Sequence, residues 1–268
     1  MTQLKDKYIL LTGGSRGIGP VIAEALAKRG AHIALAARSE EGLSKVAEPL
    51  RGLGVQILIV PVDLAQATQR DELIVKVLDK FDRIDILINN AGLETEGAFM
   101  NLSWEAIHET IEVNLAAPMA LTHMLLSQMI SQKSGHIVNI ASIGAKSGAA
   151  YAATYCGTKA GLAEWTRGLR LELADTGVHF STIFPGYITQ VGMFARFGRT
   201  PPWIIGSCSP AQVAKAVVDA IEHNKLEVLV NSRPLRLFFM LNELAPSLGD
   251  WLMWISGSVD FQRRKVGL

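Results

Sequence analysis

The sequence predicts an α/β protein: a single doubly wound parallel sheet of about seven strands with helices on both faces, extended by apolar C-terminal helices. Three observations predict it. Short continuous apolar runs recur along the chain, each bounded by turn residues. The segments between them carry a 3.6-residue apolar period, as in Val21, Ile22, Ala25 and Leu26. No linker rich in Pro, Gly or Ser divides the first 230 residues. Runs without polar alternation mark strands buried on both faces, the condition of a parallel sheet covered by right-handed crossovers.

In order, the strand segments are "YILLT", "HIALAA", "ILIVPVD", "IDILINN", "GHIVNIAS", "HFSTIFPG" and "EVLV". Residues 1–232 read as one domain and 233–268 as an apolar helical extension. A hydrophobic fraction of 49% against 19% charged supplies a core and excludes a disordered chain. The net charge of +1 excludes a general electrostatic pull on nucleic acid. Cys156 and Cys208 have neither metal-ligand nor disulfide spacing. They read as reduced core residues, which fits the cytoplasm. The first apolar run is too short for a targeting segment and leads directly into glycines.

Those glycines, "TGGSRGIG" at residues 12–19, fall between the first strand and a helix, with Gly13, Gly17 and Gly19 at TGxxxGxG spacing. Glycine accepts the positive φ of a tight turn and lets a pyrophosphate approach the backbone. The amides at the helix start then favour the anion. Pro20 falls in the first helical turn, where its missing N–H costs little. The plainer alternative is a glycine-rich turn that holds nothing. The next strand ends "ALAARSEEG", with Ala37, Arg38 and Ser39 where NAD-binding folds carry an acidic residue. A carboxylate repels a 2′-phosphate, whereas a guanidinium binds it bidentately. Arg38, with Arg16 in the glycine loop, therefore points to NADP(H), against the alternative of two solvated loop arginines.

Further motifs follow in order: Asp63 in "PVDL", "NNAG" at 89–92, Asn114 in "EVNL", Ser142 in "NIAS", Tyr155 and Lys159 as YxxxK, and "PG" at 185–186. With the glycine loop, they make the chain resemble the short-chain dehydrogenase/reductase family from roughly residue 5 to 232. The resemblance implies a Rossmann fold and a pyrophosphate held by Gly13, Ser15, Arg16, Gly17, Ile18 and Gly19. It places Arg38 and Ser39 at the 2′-phosphate, Asp63 and Leu64 at the adenine, and Asn90, Ala91 and Gly92 along the cofactor cleft. Pro185, Gly186, Ile188 and Thr189 would sit beside the nicotinamide. Asn114, Ser142, Tyr155 and Lys159 would form the catalytic tetrad. One position departs from the pattern: the threonine usual four residues after the "PG" glycine is Gln190, with Thr189 one residue early. Either side chain could hold the nicotinamide amide.

"YAATYCGTKAG" offers two tyrosines, Tyr151 and Tyr155. Residues four apart share a helix face, so Tyr155 and Lys159 converge. Ser142 lies thirteen residues before Tyr155, the family's separation, whereas Tyr151 has no lysine four residues on. Tyr155 is therefore the expected acid and Tyr151 a packing or substrate-wall residue. A lysine charge about 5 Å away, at an effective dielectric near 20, contributes roughly 3 kcal/mol. That lowers the phenol by about two pKa units, toward the range useful for acid–base work. Ser142 and Tyr155 would hold a substrate carbonyl while hydride moves from NADPH and Tyr155 donates the proton. Lys159, the ribose hydroxyl and a water near Asn114 would return it. The competing roles are a loop-capping hydroxyl for Ser142 and an internally satisfied amide for Asn114. Competing functions are a secondary-alcohol dehydrogenase and a non-catalytic dinucleotide-binding sensor or scaffold. An enoyl reductase would space tyrosine and lysine more widely.

Residues 187–208 read as a substrate lid carrying Met193, Phe194, Phe197, Trp203, Ile204 and Ile205. An apolar lid suits a lipophilic carbonyl such as a fatty-acyl, sphingoid, steroid or aromatic ketone; alternatively these residues pack on the sheet. Glu94 and Glu96 face the cleft mouth or are solvated loop charges. The chain lacks the closing "VDGG"-like stretch and strand usual in bacterial β-ketoacyl-carrier-protein reductases, and its tail is similar to reductases of the hydroxysteroid and 3-ketosphinganine type. Arg236, Glu243, Pro246 and Asp250 interrupt residues 234–259, which excludes a simple transmembrane helix. Two short helices fit, the first with Leu235, Phe238, Phe239 and Leu241, the second with Leu248, Trp251, Leu252 and Ile255 at i, i+3, i+4 and i+7. Their partner stays open among a homo-oligomer interface or the parent domain, a peripheral membrane contact, and a cap over the cleft. Trp251, Trp254 and the basic "RRK" at 263–265 favour the membrane.

Overall fold

The computed structural model describes residues 2–195, 197, 201 and 204–268, and within them not the side chains of Met193 and Ala195. Trp203 of the expected lid lies outside the described residues. The chain opens with β1 (Tyr8–Thr12), α1 (Gly19–Ala27), β2 (His32–Ala37), α2 (Glu40–Arg51), β3 (Ile57–Pro61) and α3 (Ala67–Phe81). It continues through β4 (Ile86–Asn89), α4 (Trp104–Ile111), α5 (Ala117–Ser131), β5 (Gly135–Ile140), α6 (Ala153–Glu172) and β6 (Val178–Pro185). Next come β7 (Tyr187–Ile188), α7 (Gly192–Ala195), β8 (Ser207–Cys208), α8 (Pro210–His223) and β9 (Glu227–Val230). The sheet order is β3-β2-β1-β4-β5-β6-β9, parallel throughout. Six of its strands fall within the apolar runs and β6 begins one residue before its run, as the expected doubly wound fold requires.

Alternate residues of each strand feed opposite faces. Ile9 and Leu11 pack under α1, α2 and α8 with Ile22, Leu43 and Val217. Leu10, between them, packs on the other face with Leu73, Val77, Leu121 and Leu125 of α3 and α5. Fully burying each such side chain is worth about 1.5–3 kcal/mol, so the face assignment is fixed strand by strand. Helix α4, a π-turn at Glu112–Ala116 and α5 run on as one 28-residue helix, Trp104–Ser131. By length and composition it could cross a membrane, but Leu121, Leu125 and Met129 are fully buried against the sheet, the behaviour of a core helix.

Two features escape the sequence patterns. Strands β7 and β8 pair in a separate two-residue parallel ladder that ties the ends of the lid together. The C-terminal extension forms the two expected helices, α9 (Arg236–Leu244) and α10 (Pro246–Ile255), and adds a third after them, α11 (Ser258–Lys265). Pro246 starts α10 in its first turn instead of merely breaking a helix, and Gly257, at φ +72°, turns the chain into α11.

Candidate active site

The order of the sheet reverses between β1 and β4, and a cavity of about 630 Å³ lies there, beyond the strands' C-terminal ends. Gly13 and Gly17 stand at φ +68° and +67°, as the tight loop requires. A Cβ on Gly19 would lie 2.1 Å from the Gly13 carbonyl oxygen, so α1 crosses the loop backbone to backbone. No side chain caps the start of α1, which leaves its first amides free for an anion. Thr12 Oγ1 accepts from the backbone N–H of Asn90 and of Ala91, each at 3.0 Å. Asn90 Nδ2 donates to the Thr12 and Gly13 carbonyls at 2.9 and 3.2 Å. The "NNAG" loop is thereby stitched to the glycine loop.

Gly13, Arg16, Gly17, Ile18, Asn90, Ala91 and Gly92 all line the cavity. The Asn90 Oδ1 atom is buried without a hydrogen-bond partner. A glycine loop with open helix amides fits a nucleotide's diphosphate, and the unsatisfied Asn90 amide oxygen, an acceptor, fits a ribose hydroxyl. Ser15 and Gly19 belong to the loop without lining the cavity. Arg38, Ser39, Asp63 and Leu64 follow β2 and β3 at the same end of the sheet, outside the lining. Arg38, expected as a free phosphate clamp, is paired with Glu109 of α4 at 3.3 Å, both side chains exposed. The Ser39 hydroxyl accepts from Gly42 N as the cap of α2. Asp63 Oδ1 accepts from Ala65 N at 3.0 Å, and the buried Leu64 gives its carbonyl to Arg70.

The opposite wall comes from the end of β5 and the first turns of α6. Tyr155 and Lys159, one turn apart, line the cavity with Ser142. The Ser142 hydroxyl lies beside the Tyr155 phenol, near enough to favour its ionised form, and accepts from Gly144 N at 3.1 Å, so the expected capping role and the expected proximity coexist. Lys159 Nζ donates to the Ile140 carbonyl at 2.9 Å and stands 6.0 Å from the centre of the Tyr155 ring. Tyr151 precedes α6 at φ +62° and gives its carbonyl to Gly97 N, so it shares no helix face with Tyr155 and does not line the cavity.

Electrostatics correct one expectation. Burial raises the Tyr155 phenol well above its ordinary value, helped by the Glu94 charge and opposed by the nearby Ser142 hydroxyl. Burial also lowers Lys159 to about 8. In the chain itself desolvation thus outweighs the pull of the lysine charge. Asn114 is fully buried in the π-turn, with Oδ1 accepting from Leu93 N and Nδ2 donating to Leu93 O, both at 2.8 Å, and to Thr158 Oγ1. It clasps the loop after "NNAG" and does not line the cavity. Pro185, Gly186 and Ile188 line the cavity, whereas the Thr189 hydroxyl turns to the Cys208 carbonyl at 3.5 Å. Gln190 is exposed at φ +79°.

The far end of the cavity is apolar, with Phe194, Ile204 and Ile205 from the lid and Leu235, Phe238, Phe239, Leu252 and Met253 from α9 and α10. Glu94 and Glu96 line it too, the first of the two readings open for them. Lys265 Nζ reaches both carboxylates, at 2.9 and 2.5 Å, and is 5% exposed. The "RRK" stretch is therefore not a free basic cluster, since its lysine is withdrawn into the cavity wall. Gln262 donates to the Tyr187 hydroxyl at 3.0 Å, and Phe261 packs on Tyr187, Phe194 and Phe197. Of the three partners open for the extension, its inner side thus serves the cleft.

Residues 7–201 match the family model described as short chain dehydrogenase. The chain belongs to the short-chain dehydrogenase family. It is 39% identical to the ketoacyl reductase HetN of Nostoc sp. over 99% of this chain and 94% of that protein. It is 35% identical to a 3-oxoacyl-[acyl-carrier-protein] reductase of Synechocystis sp., over 70% of this chain and 76% of that one. An alcohol dehydrogenase of Thermococcus sibiricus, solved with 5-hydroxy-NADP, superposes with a TM-score of 0.76 at 30% identity, covering 85% of this chain and 97% of its own. A metagenomic short-chain oxidoreductase solved with NADP gives 0.73 at 29% identity, covering 85% and 98%. This short-chain dehydrogenase is accordingly an oxidoreductase of a family that binds nicotinamide cofactors.

Thr12, the clamp of the "NNAG" loop, opens the TGxxxGxG motif but is not among the expected site residues, and the C-terminal wall lies beyond the matched residues. A measurable consequence attaches to Lys159 in this short-chain dehydrogenase. Its folded value of about 8 lies below the ordinary 10.5, so between those values the unfolded chain holds a proton that the folded chain has lost. Stability from this group therefore rises with pH from about 8 toward 10.5, by up to about 3 kcal/mol. The buried thiols, raised above 9.0, oppose it at the alkaline end. In urea unfolding of the wild type against Lys159→Met, the wild type is expected to gain stability relative to the variant as pH rises past 8. A constant difference would show that Lys159 stays charged in the fold.

Proposed function

We propose that this enzyme reduces a lipophilic ketone or aldehyde with NADPH, with Tyr155 as the general acid. The observation that carries the proposal is the Ser142–Tyr155 pair, with Lys159 one turn on, between a glycine loop and an apolar chamber of the same cavity. The names of the ketoacyl-reductase relatives and the NADP species in the solved neighbours support it.

A bound nicotinamide cofactor supplies the hydride. Gly13, Gly17 and Ile18 offer the backbone that receives the diphosphate, with Arg16 beside them. Ser142 and Tyr155 orient the carbonyl oxygen by two hydrogen bonds, and Tyr155 gives that oxygen its proton as charge develops. A phenol held above its ordinary value is protonated at neutral pH, the state a donor needs. Lys159, tethered by Ile140, keeps an ammonium one turn from the phenol to restore the proton. Phe194, Phe238 and Phe239 exclude water from the chamber.

The test is NADPH oxidation by the purified chain over a panel of 3-oxoacyl thioesters, long-chain ketones and aromatic ketones. Turnover that rises with apolar chain length is the expected result, and no oxidation with any of them would refute the reductase. Cofactor choice is tested separately. Removing a charge-assisted contact worth about 1.5–3 kcal/mol, Arg38→Ala is expected to lower kcat/KM for NADPH about 10- to 100-fold relative to NADH. Glu109→Gln, which frees Arg38 from its pair, is expected to shift preference the other way. An unchanged ratio in Arg38→Ala would pass the phosphate contact to Arg16.

A further inference from the structure

The α9–α10 hairpin is apolar on two sides. Leu235, Phe238 and Phe239 of the first helical segment, with Leu252 and Met253 of the second, line the cavity. On the outside, Leu237, Met240 and Leu244 follow one another at helical spacing on α9, exposed by 76%, 59% and 83%. Leu248, Trp251 and Trp254 do the same on α10, exposed by 42%, 55% and 65%. Arg236, Glu243 and Asp250 are exposed on the same helices, but six large apolar side chains outside the cavity remain uncovered. Two side chains join the faces. Ile204 and Ile255 line the cavity and are still 46% and 60% exposed, which puts them on its rim. The exposed apolar side chains therefore continue over this rim into the chamber that ends at Tyr155.

We infer that the outer face of this hairpin docks on the surface of a lipid bilayer, from which a lipophilic substrate passes over the Ile204–Ile255 rim into the cavity. A second copy of the chain on the same face would close the rim, whereas a lipid surface leaves an apolar path across it. Paired tryptophans on an apolar helix face suit the depth of the headgroup boundary. The exposed Arg236, Arg263 and Arg264 are matched by the exposed Glu243, Asp250 and Asp260, so they add little net attraction for anionic headgroups. The apolar side chains carry the affinity. Lys265 adds none, because Glu94 and Glu96 hold it. The inference rests on the proposed lipophilic carbonyl substrate, but its test needs no turnover.

The test is co-sedimentation of the full chain with vesicles of phosphatidylcholine and phosphatidylglycerol. The comparison is the triple variant Leu237→Glu, Leu244→Glu, Trp254→Glu, none of whose sites lines the cavity. The wild type is expected in the pellet and the variant in the supernatant, with partitioning reduced at least about 10-fold, as three charges at the interface predict. Turnover of a short water-soluble ketone is expected to be equal in both. Independently of that variant, lipids brominated on their acyl chains are expected to quench wild-type tryptophan fluorescence, with less quenching in Trp251→Phe, Trp254→Phe. A wild type that stays in the supernatant and is not quenched overturns the inference. So does a wild-type dimer, seen by sedimentation velocity, that the triple variant dissociates without any vesicle binding. Vesicle binding without reductase activity counts against the reductase alone.

Discussion

Tyr155→Phe is expected to lower kcat/KM for carbonyl reduction by roughly 10²- to 10⁴-fold, the usual contribution of a positioned acid. The loss should fall on the chemistry, because the phenol lies beside Ser142, whose hydroxyl keeps its partner in Gly144 N when the phenol is gone. Ser142→Ala is expected to cost less, since it removes one hydrogen bond and leaves the proton donor. Direction of reaction is part of this prediction. Burial and Glu94 hold the phenol above its ordinary 10.0, so it is protonated across the neutral range. That state serves carbonyl reduction; alcohol oxidation would need the phenolate, which the same surroundings disfavour. The alkaline limb of the reduction rate is therefore expected near the Lys159 value of about 8, where the ammonium that restores the proton is lost. Stopped-flow NADPH oxidation against pH checks this. Undiminished turnover in Tyr155→Phe would remove the acid assignment, and a limb unmoved by Lys159→Arg would remove Lys159 from the proton path.

The sheet was legible because strands buried on both faces have little choice of residue. "YILLT" and "HIALAA" coincide with β1 and β2 to the residue, and the glycine loop follows from the turn that only glycine makes easily. Ser142, Tyr155 and Lys159 were legible from spacing, since one helical turn and one strand end bring them together. What escaped the sequence is contact between distant segments. Lys265 meets Glu94 across 171 positions, and no period along the chain announces that meeting. Arg38 shows the same limit: its residue type reads as a phosphate binder, while its Glu109 partner, 71 positions away, is visible only in the fold. Spacing alone sets Tyr151 aside, but that a positive φ there delays α6 to Ala153 is not legible in the sequence. Trp251 and Trp254 raise the membrane reading and a cap over the cleft stands beside it; that one hairpin has both a cavity side and an exposed apolar side is visible only in the fold.

Lys265→Met is expected to be among the most destabilising substitutions of a charged residue in this chain. Glu94, Glu96 and Lys265 are 19%, 16% and 5% exposed, so the two carboxylates would remain largely desolvated without their counter-charge. Breaking a buried pair in this way costs about 3–5 kcal/mol, a large part of the roughly 5–15 kcal/mol that holds a typical domain. The deficit has a predictable pH dependence. Burial and the Glu94 charge raise Glu96 from 4.5 to about 7, with Lys265 pulling it down. A folded value above the unfolded one means that the protonated form is favoured in the fold; that stability is full below 4.5 and is lost as pH rises through 7. Without Lys265 the carboxyl moves higher still, so the variant is expected to lose little near pH 5 and most near pH 8. Glu96→Gln removes the excess negative charge and keeps a hydrogen-bonding group toward Lys265, so it is expected to match or exceed the wild type at pH 8. Urea unfolding at the two pH values measures all three proteins. A Lys265→Met deficit equal at both would mean that the carboxylates find water when the lysine is gone, and that α11 is held to the cavity wall by Phe261 and Gln262 instead.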